Sequence, residues 1–286
     1  MAQLLKGKPV AEAILNNAAE RAQALRSKGI SPTLAILRVG ERADDISYEN
    51  NAVKKCIAAG VSVKRTVLPS DVAPKIFFET LEFLNTDPSV HGILMFRPLP
   101  KHLDEEAARR ILCPEKDVDG CTDISLAGVF AGTQRGFAPC TAEAVMQMLA
   151  FYDIDPAGKH AVILGRSTTV GRPVSMLLMH KNATVTICHS KTKPLEKYAR
   201  EAAILICAIG KPEYVNASFL SQGQTVIDVG INWNEKKQKL CGDVLFEEAE
   251  PVVCALTPVP AGVGAVTSAL LVKHTVEAAE KQLHAD

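Results

Sequence analysis

Residues 160–173 read HAVILGRSTTVGRP. Five residues of strand character, His160–Leu164, run into Gly165, and a helix starts near Val170 beyond a short polar loop. At such a turn glycine lets the backbone approach a pyrophosphate, and the start of the helix adds free N–H groups and positive partial charge. The spacing is G-R-S-x-x-V-G, not the G-x-G-x-x-G of the usual dinucleotide fingerprint. On these residues alone two readings stay open: a nucleotide cradle, or a tight strand-to-helix turn of the kind common in open α/β sheets.

Outward from this stretch, strands and helices alternate. Downstream, 184–188, 203–208 and 225–229 read as strands, and 266–282 as a last helix after the Gly- and Pro-rich TPVPAGVG at 257–264. Upstream, helix 9–28, strand Thr33–Val39, helix 47–59, strand 61–68, helix 74–86 and strand 92–96 precede a helix at 142–151. Two β-α-β series in succession predict an α/β chain of two domains, each with a parallel sheet covered by helices. Open sheets of this kind bind ligands at the carboxyl ends of their strands. Three further segments end there: His189-Ser190-Lys191-Thr192, Ile206–Gly210 and Asp228–Asn232. The first falls where an adenosine ribose is met, a place that often carries an acid for the 2′-hydroxyl. Here it offers a hydroxyl and a cation, which with Arg166 suits a 2′-phosphate and so NADP, NAD being the alternative. Lys191 reads equally well as a solvated charge, and His189 as a structural residue.

Composition excludes several function classes. The chain has 286 residues, 47% hydrophobic and 22% charged, with 32 basic and 32 acidic side chains. Zero net charge offers no electrostatic case for nucleic acid or an anionic membrane surface. Eight cysteines form no C-x-x-C pair and no zinc-finger spacing, so they read as buried thiols in a reducing compartment and no metal is expected. The N-terminus lacks signal-peptide character, and no apolar run reaches the ~18 residues of a membrane span. The expected location is the cytoplasm.

Eight motifs, in order, carry a resemblance: Tyr48 after Val39-Gly40, Gly92-Ile93-Leu94 leading to Pro98-Leu99-Pro100, KDVDG at 116–120, Pro139-Cys140-Thr141, GRSTTVGRP at 165–173, HSKT at 189–192, DVGIN at 228–232 and TPVPAGVG at 257–264. Together they resemble the bifunctional methylenetetrahydrofolate dehydrogenase/methenyltetrahydrofolate cyclohydrolase family, over nearly the whole chain. The resemblance implies an N-terminal catalytic, folate-binding domain (1–141 with 267–286) and a C-terminal Rossmann-like NAD(P)-binding domain (142–266). It implies a tetrahydrofolate one-carbon substrate in a cleft between the domains, and a homodimer. Gly165, Arg166, Ser167, Ser190 and Ile231 are then cofactor contacts. Tyr48 stacks on the folate, Asp119 holds the pterin, and Pro260 and Gly262 meet substrate. A carboxylate can accept two adjacent pterin N–H groups in parallel.

Two positions depart from the family. Its lysine four residues after the tyrosine is Ala52 here, and its glutamine two residues before Pro-x-Pro is Phe96. The family assigns both polar groups to the cyclohydrolase step. At about 100° per residue Lys54 lies about 120° from Tyr48, while Lys55 returns to the Tyr48 face nearly two turns along. Lys54 is retained as a weak catalytic candidate and Lys55 as a second, although both read first as surface charges. Arg97 should face away from Phe96 unless the strand has already ended. Hydride transfer needs mainly positioning, whereas opening a methenyl ring needs an aligned acid/base group. The expectation is therefore a dehydrogenase with weakened or absent cyclohydrolase. The alternatives are a fully bifunctional enzyme using Lys54 or Lys55, and a non-catalytic folate-binding relative.

Overall fold

The computed structural model describes residues 1–133 and 135–283. The chain runs β1 (Gln3–Leu4), α1 (Gly7–Ser27), β2 (Thr33–Val39), α2 (Ala43–Ala58), β3 (Ser62–Leu68), α3 (Pro74–Thr86), β4 (Gly92–Met95), α4 (Glu105–Ile111), α5 (Asp123–Ala131) and α6 (Cys140–Phe151). It continues with β5 (His160–Leu164), α7 (Gly171–His180), β6 (Thr184–Cys188), α8 (Leu195–Arg200), β7 (Ile204–Cys207), β8 (Thr225–Asp228), β9 (Asn232–Asn234), β10 (Lys239–Cys241), α9 (Phe246–Ala249), β11 (Ala255–Leu256) and α10 (Gly264–Leu283). This is the two-domain α/β architecture expected from the alternation.

Two compact units divide the chain: Glu12–Cys140 with Ser268 onward, and Met1–Ala11 with Thr141–Thr267. In the first, a three-stranded sheet of order β3-β2-β4 is parallel throughout. Every residue of β2 is buried, as a strand covered on both faces requires. Phe77 and Leu81 of α3 are fully buried in the core shared with Ile93 and Met95 of β4. In the second, the sheet order is β1-β11-β8-β7-β5-β6, again with parallel pairing only. β5 lies between β6 and β7, so the chain reverses its direction of growth across the sheet at that strand. Such a switch point opens a crevice at the strands' carboxyl ends.

Met1–Ala11 pack with the Rossmann-like unit, whose sheet β1 extends beside β11. Several expectations change. Helix α2 starts at Ala43 rather than near 47, since Asp44 and Asp45 in its first turn suit the positive helix end and Arg42 pairs with Asp45 at 2.8 Å. Strand β4 ends at Met95, so Phe96 and Arg97 lie beyond it and strict alternation no longer governs them. Helices α4 and α5 were not foreseen. Asp104 and Thr122 cap them, accepting from Ala107 N and Ser125 N, a signal the spacing did carry. The two-residue strands β1 and β11 and the β9–β10 hairpin are too short for periodicity to reveal. Among the described residues no helix is long and apolar enough to cross a membrane.

Phe77 has no exposed surface and fills the space beneath the three-stranded sheet. Phe77→Ala should cost about 3–5 kcal/mol, seen as a lower urea midpoint with an unchanged slope; a loss below about 1 kcal/mol would place Phe77 outside the cooperative core.

Candidate functional site

The Rossmann-like unit builds a hollow of about 300 Å³ at its switch point, lined by Gly165, Arg166 and Ser167 after β5, Cys188–Ser190 after β6, and Ala208, Ile209, Lys211 and Tyr214 after β7. Gly165 has φ +132°, and a Cβ there would stand 2.2 Å from the Ala208 carbonyl oxygen. Only glycine fits at that crossing. Ser167 Oγ accepts from the backbone N of Val170 at 3.1 Å and of Gly171 at 3.4 Å, turning the loop into α7. A polar loop at the start of a ten-residue helix is a suitable seat for a phosphate. Four predicted cofactor residues, Gly165, Arg166, Ser167 and Ser190, thus come together here. Lys191 is absent from the lining, and its backbone N donates to His189 Nδ1 at 3.2 Å within a turn. The cation that joins Arg166 is Lys211, which rests 4.9 Å above the Tyr214 ring.

A buried carboxylate holds the Lys211 loop in place. Asp243 accepts from Ile209 N, from Gly210 N at 3.1 Å, from Lys211 N at 2.9 Å and from Asn232 Nδ2 at 2.9 Å. Its own backbone N donates to Asp228 Oδ1 at 3.0 Å. Burial pushes the Asp228 carboxyl up to about 7, against backbone N–H donors of Val244, Asp243 and Gly230 that favour its charged form. Sequence reasoning missed Asp243, since nothing in the chain ties position 243 to a loop more than thirty residues earlier.

Ile231 does not line this hollow. It is 64% exposed and borders a second, smaller one of about 160 Å³ together with Pro260 and Gly262. The structure therefore groups the fifth predicted cofactor contact with the two predicted substrate contacts. A Cβ at Gly262 would lie 2.4 Å from the Pro258 carbonyl oxygen, so the backbone there admits no larger residue.

Tyr48 and Asp119 belong to the other unit, where they sit on one continuous run of contacts. The half-buried Tyr48 ring meets Phe96 edge-on, 5.9 Å between centroids. The next residue, Arg97, donates from its guanidinium to Asp119 Oδ2 at 3.2 Å. The Asp119 loop is set by Asp117, which is fully buried and accepts from Cys121 N at 2.9 Å, Thr122 N at 2.7 Å and Ser125 Oγ at 2.7 Å. His274 of α10 reaches the same loop, 2.8 Å from the Val118 carbonyl. Burial raises the Asp119 pKa, while the Arg97 charge pulls it back toward ionisation. Asp117 and Arg97 were not predicted as site residues. A buried Asp two positions before a D-G turn is a legible loop signal; the Arg97 pairing depends on where β4 stops.

Ala52 is fully buried and Phe96 nearly so, and both are apolar where acid/base groups would stand. Lys54 is exposed. Lys55 is not the surface charge expected. It is half-buried, its Nζ lies 2.7 Å from Ser268 Oγ of α10, and burial lowers its pKa. Among the described residues no group of three or more His, Cys, Asp or Glu side chains is placed to hold a metal ion.

Comparison with known proteins gives consistent matches over both units. Residues 5–119 match the catalytic-domain model, and residues 139–283 the NAD(P)-binding-domain model, of tetrahydrofolate dehydrogenase/cyclohydrolase. The bifunctional protein FolD of Clostridioides difficile is 48% identical over 280 residues, covering 98% of this chain and 97% of the relative. A crystal structure of the bifunctional FolD dehydrogenase/cyclohydrolase from Campylobacter jejuni superposes with a TM-score of 0.95 at 38% identity, covering 98% of this chain and 99% of that one. That of Trypanosoma brucei, crystallised with NADP and an inhibitor, gives 0.92 at 33% identity over 99% and 98%.

Asp243→Asn leaves one of the loop donors at 209–211 without its carboxylate oxygen, a deficit of about 1–3 kcal/mol. Dinucleotide affinity, read by isothermal titration, should fall about tenfold or more; unchanged affinity with a folded protein would mean the loop keeps its shape without Asp243.

Proposed function

The chain belongs to the tetrahydrofolate dehydrogenase/cyclohydrolase family, and from that membership we propose that it works chiefly as a methylenetetrahydrofolate dehydrogenase with its cyclohydrolase step weakened or absent. It is an enzyme with an NAD(P)-binding domain. The observation that carries the proposal is the pair Ala52 and Phe96: two polar groups of the family's hydrolytic step are replaced by buried apolar side chains, one of them packed on Tyr48.

The residues on hand suit the first reaction. Tyr48 is assigned to stack on the folate, and the Asp119 carboxylate to accept the adjacent N–H groups of the pterin. The Gly165 crossing and the polar Ser167 turn at the start of α7 suit a pyrophosphate. Arg166 and Lys211, both lining that hollow, favour a 2′-phosphate, which is the reason to prefer NADP over NAD. Ser190 and Ile231 are assigned to the cofactor, and Pro260 and Gly262 to the substrate, as the resemblance implies. When bound, the dinucleotide accepts the hydride that leaves the methylene carbon, and the methenyl cation remains on the folate. The protein has only to orient the two and exclude water, so loss of Lys and Gln leaves this step largely intact. Ring opening adds water and moves protons, for which an aligned group is worth on the order of 100-fold to 10,000-fold. The proposal further assigns folate binding to 1–141 with 267–286, cofactor binding to 142–266, and assembly as a homodimer.

A second reading retains full bifunctionality through Lys55. It is favoured by the inward Nζ, its bond to Ser268, and burial that makes its neutral form accessible below the ordinary lysine range. A base with a lowered pKa loses its proton at lower pH, so a Lys55-dependent hydrolysis rises with pH across that lowered window.

Supplied with methylenetetrahydrofolate and NADP, the purified chain should generate a methenyl absorbance that persists, with hydrolysis about 100-fold or more slower than hydride transfer. Comparable rates would remove the proposal. For the second reading, Lys55→Met should abolish a pH-dependent methenyl hydrolysis while leaving hydride transfer within about threefold; hydrolysis that survives the substitution rules Lys55 out as the base.

A further inference from the structure

Arg97 has donors that the fold does not use. Its guanidinium is bonded to Asp119, and its Nε is buried without a hydrogen-bond partner among the described residues. A buried guanidinium nitrogen left unpaired is costly and calls for an explanation. The two side chains are 21% and 25% exposed, so a donor and an acceptor present themselves side by side at the same surface. Arg97 directly follows Phe96, whose ring meets Tyr48, and its backbone oxygen accepts from the Arg42 guanidinium at 3.4 Å. The segment is thus held from both sides.

We propose that Arg97 is a specificity-determining residue which, beside Asp119, reads the ring carbonyl of a pterin while the carboxylate reads the neighbouring N–H groups. This rests on the assignment of Asp119 as the pterin anchor. A pterin edge presents one carbonyl acceptor, then a ring N–H, then an amino group. The Arg97–Asp119 pair offers the complement: guanidinium N–H donors, then two carboxylate oxygens. A ring in which an amino group replaces the carbonyl sets donor against donor at Arg97 and turns the neighbouring ring N–H into an acceptor facing Asp119, so the share due to Arg97 is read from the change in the ratio when Arg97 alone is replaced. A guanidinium cannot reverse its polarity, since it has no acceptor. A glutamine at the same place can present either its oxygen or its amide, and therefore loses the distinction.

The test compares binding of a tetrahydropterin with that of its diamino counterpart, the carbonyl replaced by an amino group. In Arg97→Gln the ratio of dissociation constants, amino ring over oxo ring, should fall about tenfold from the wild-type ratio, one hydrogen-bond mismatch in size. Arg97→Lys keeps the charge beside Asp119 but loses the fork; it should lower the ratio about threefold, and it decides the matter if the glutamine variant does not fold. If both rings weaken together and the ratio stays put, Arg97 serves only to order Asp119 and the proposal is overturned. If the wild-type chain binds neither ring, the pterin assignment of Asp119 fails and takes this proposal with it.

Discussion

Every strand pair in the two larger sheets is parallel, and a parallel pair cannot be closed by a tight hairpin. The chain must leave each strand at the same edge and return by a crossover, so the loops that bear chemistry collect along that edge. Such loops carry backbone N–H groups that no ladder satisfies, and those that are buried need partners. Much of what is specific in this protein answers that demand. Asp117 takes up donors in the folate-type unit, and Asp243 takes up three consecutive ones in the Rossmann-like unit. Each carboxylate is fully buried, and each sets the shape of the loop whose backbone donors it accepts. A carboxylate is suited to this because it accepts from several directions and bonds to a charged acceptor are the stronger kind.

The two units treat electrostatics differently. The cofactor hollow relies on backbone amides, a helix start and two cations, an arrangement suited to phosphate charge wherever its exact position. The Tyr48–Asp119 run is more directional: a ring edge, a fork and a carboxylate in sequence. Asp119 sits under opposing influences, burial raising its pKa and the Arg97 guanidinium lowering it. Surface ion pairs of this spacing are worth little, but a partly buried one keeps more of its Coulomb energy. That balance makes Arg97 consequential although it carries no part of the hydride chemistry.

On the proposed reading, Ala52 and Phe96 in place of Lys and Gln spare the groups that position the substrate and remove two polar groups of the hydrolytic step. Dehydrogenation survives such a change more readily than hydrolysis, because one reaction draws its reactivity from the dinucleotide and the other from aligned proton carriers. Lys55 complicates the picture. It sits one turn beyond Ala52 on α2 and turns inward toward α10.

Whereas the crowding that demands glycine at 165 comes from Ala208, 43 residues on, periodicity along the chain was enough for the order of the longer strands and of most longer helices, and for the turn at Gly165. These are local matters: a buried strand reads as a run of apolar residues, and a strand-to-helix turn reads as glycine followed by polar residues. The departures at 52 and 96 were equally plain, being single letters. Tertiary structure alone decided which side chains meet. Lys55 bonds Ser268, 213 residues away, and Asp243 caps a loop that starts 34 residues before it. A helix's period tells which residues share a face, but not which face finds a partner. Arg97 shows the limit most clearly, since its direction was set by a strand ending at Met95 rather than one residue later. Alternation constrains a side chain only while the ladder lasts, and the point where the ladder stops depends on the neighbouring strand.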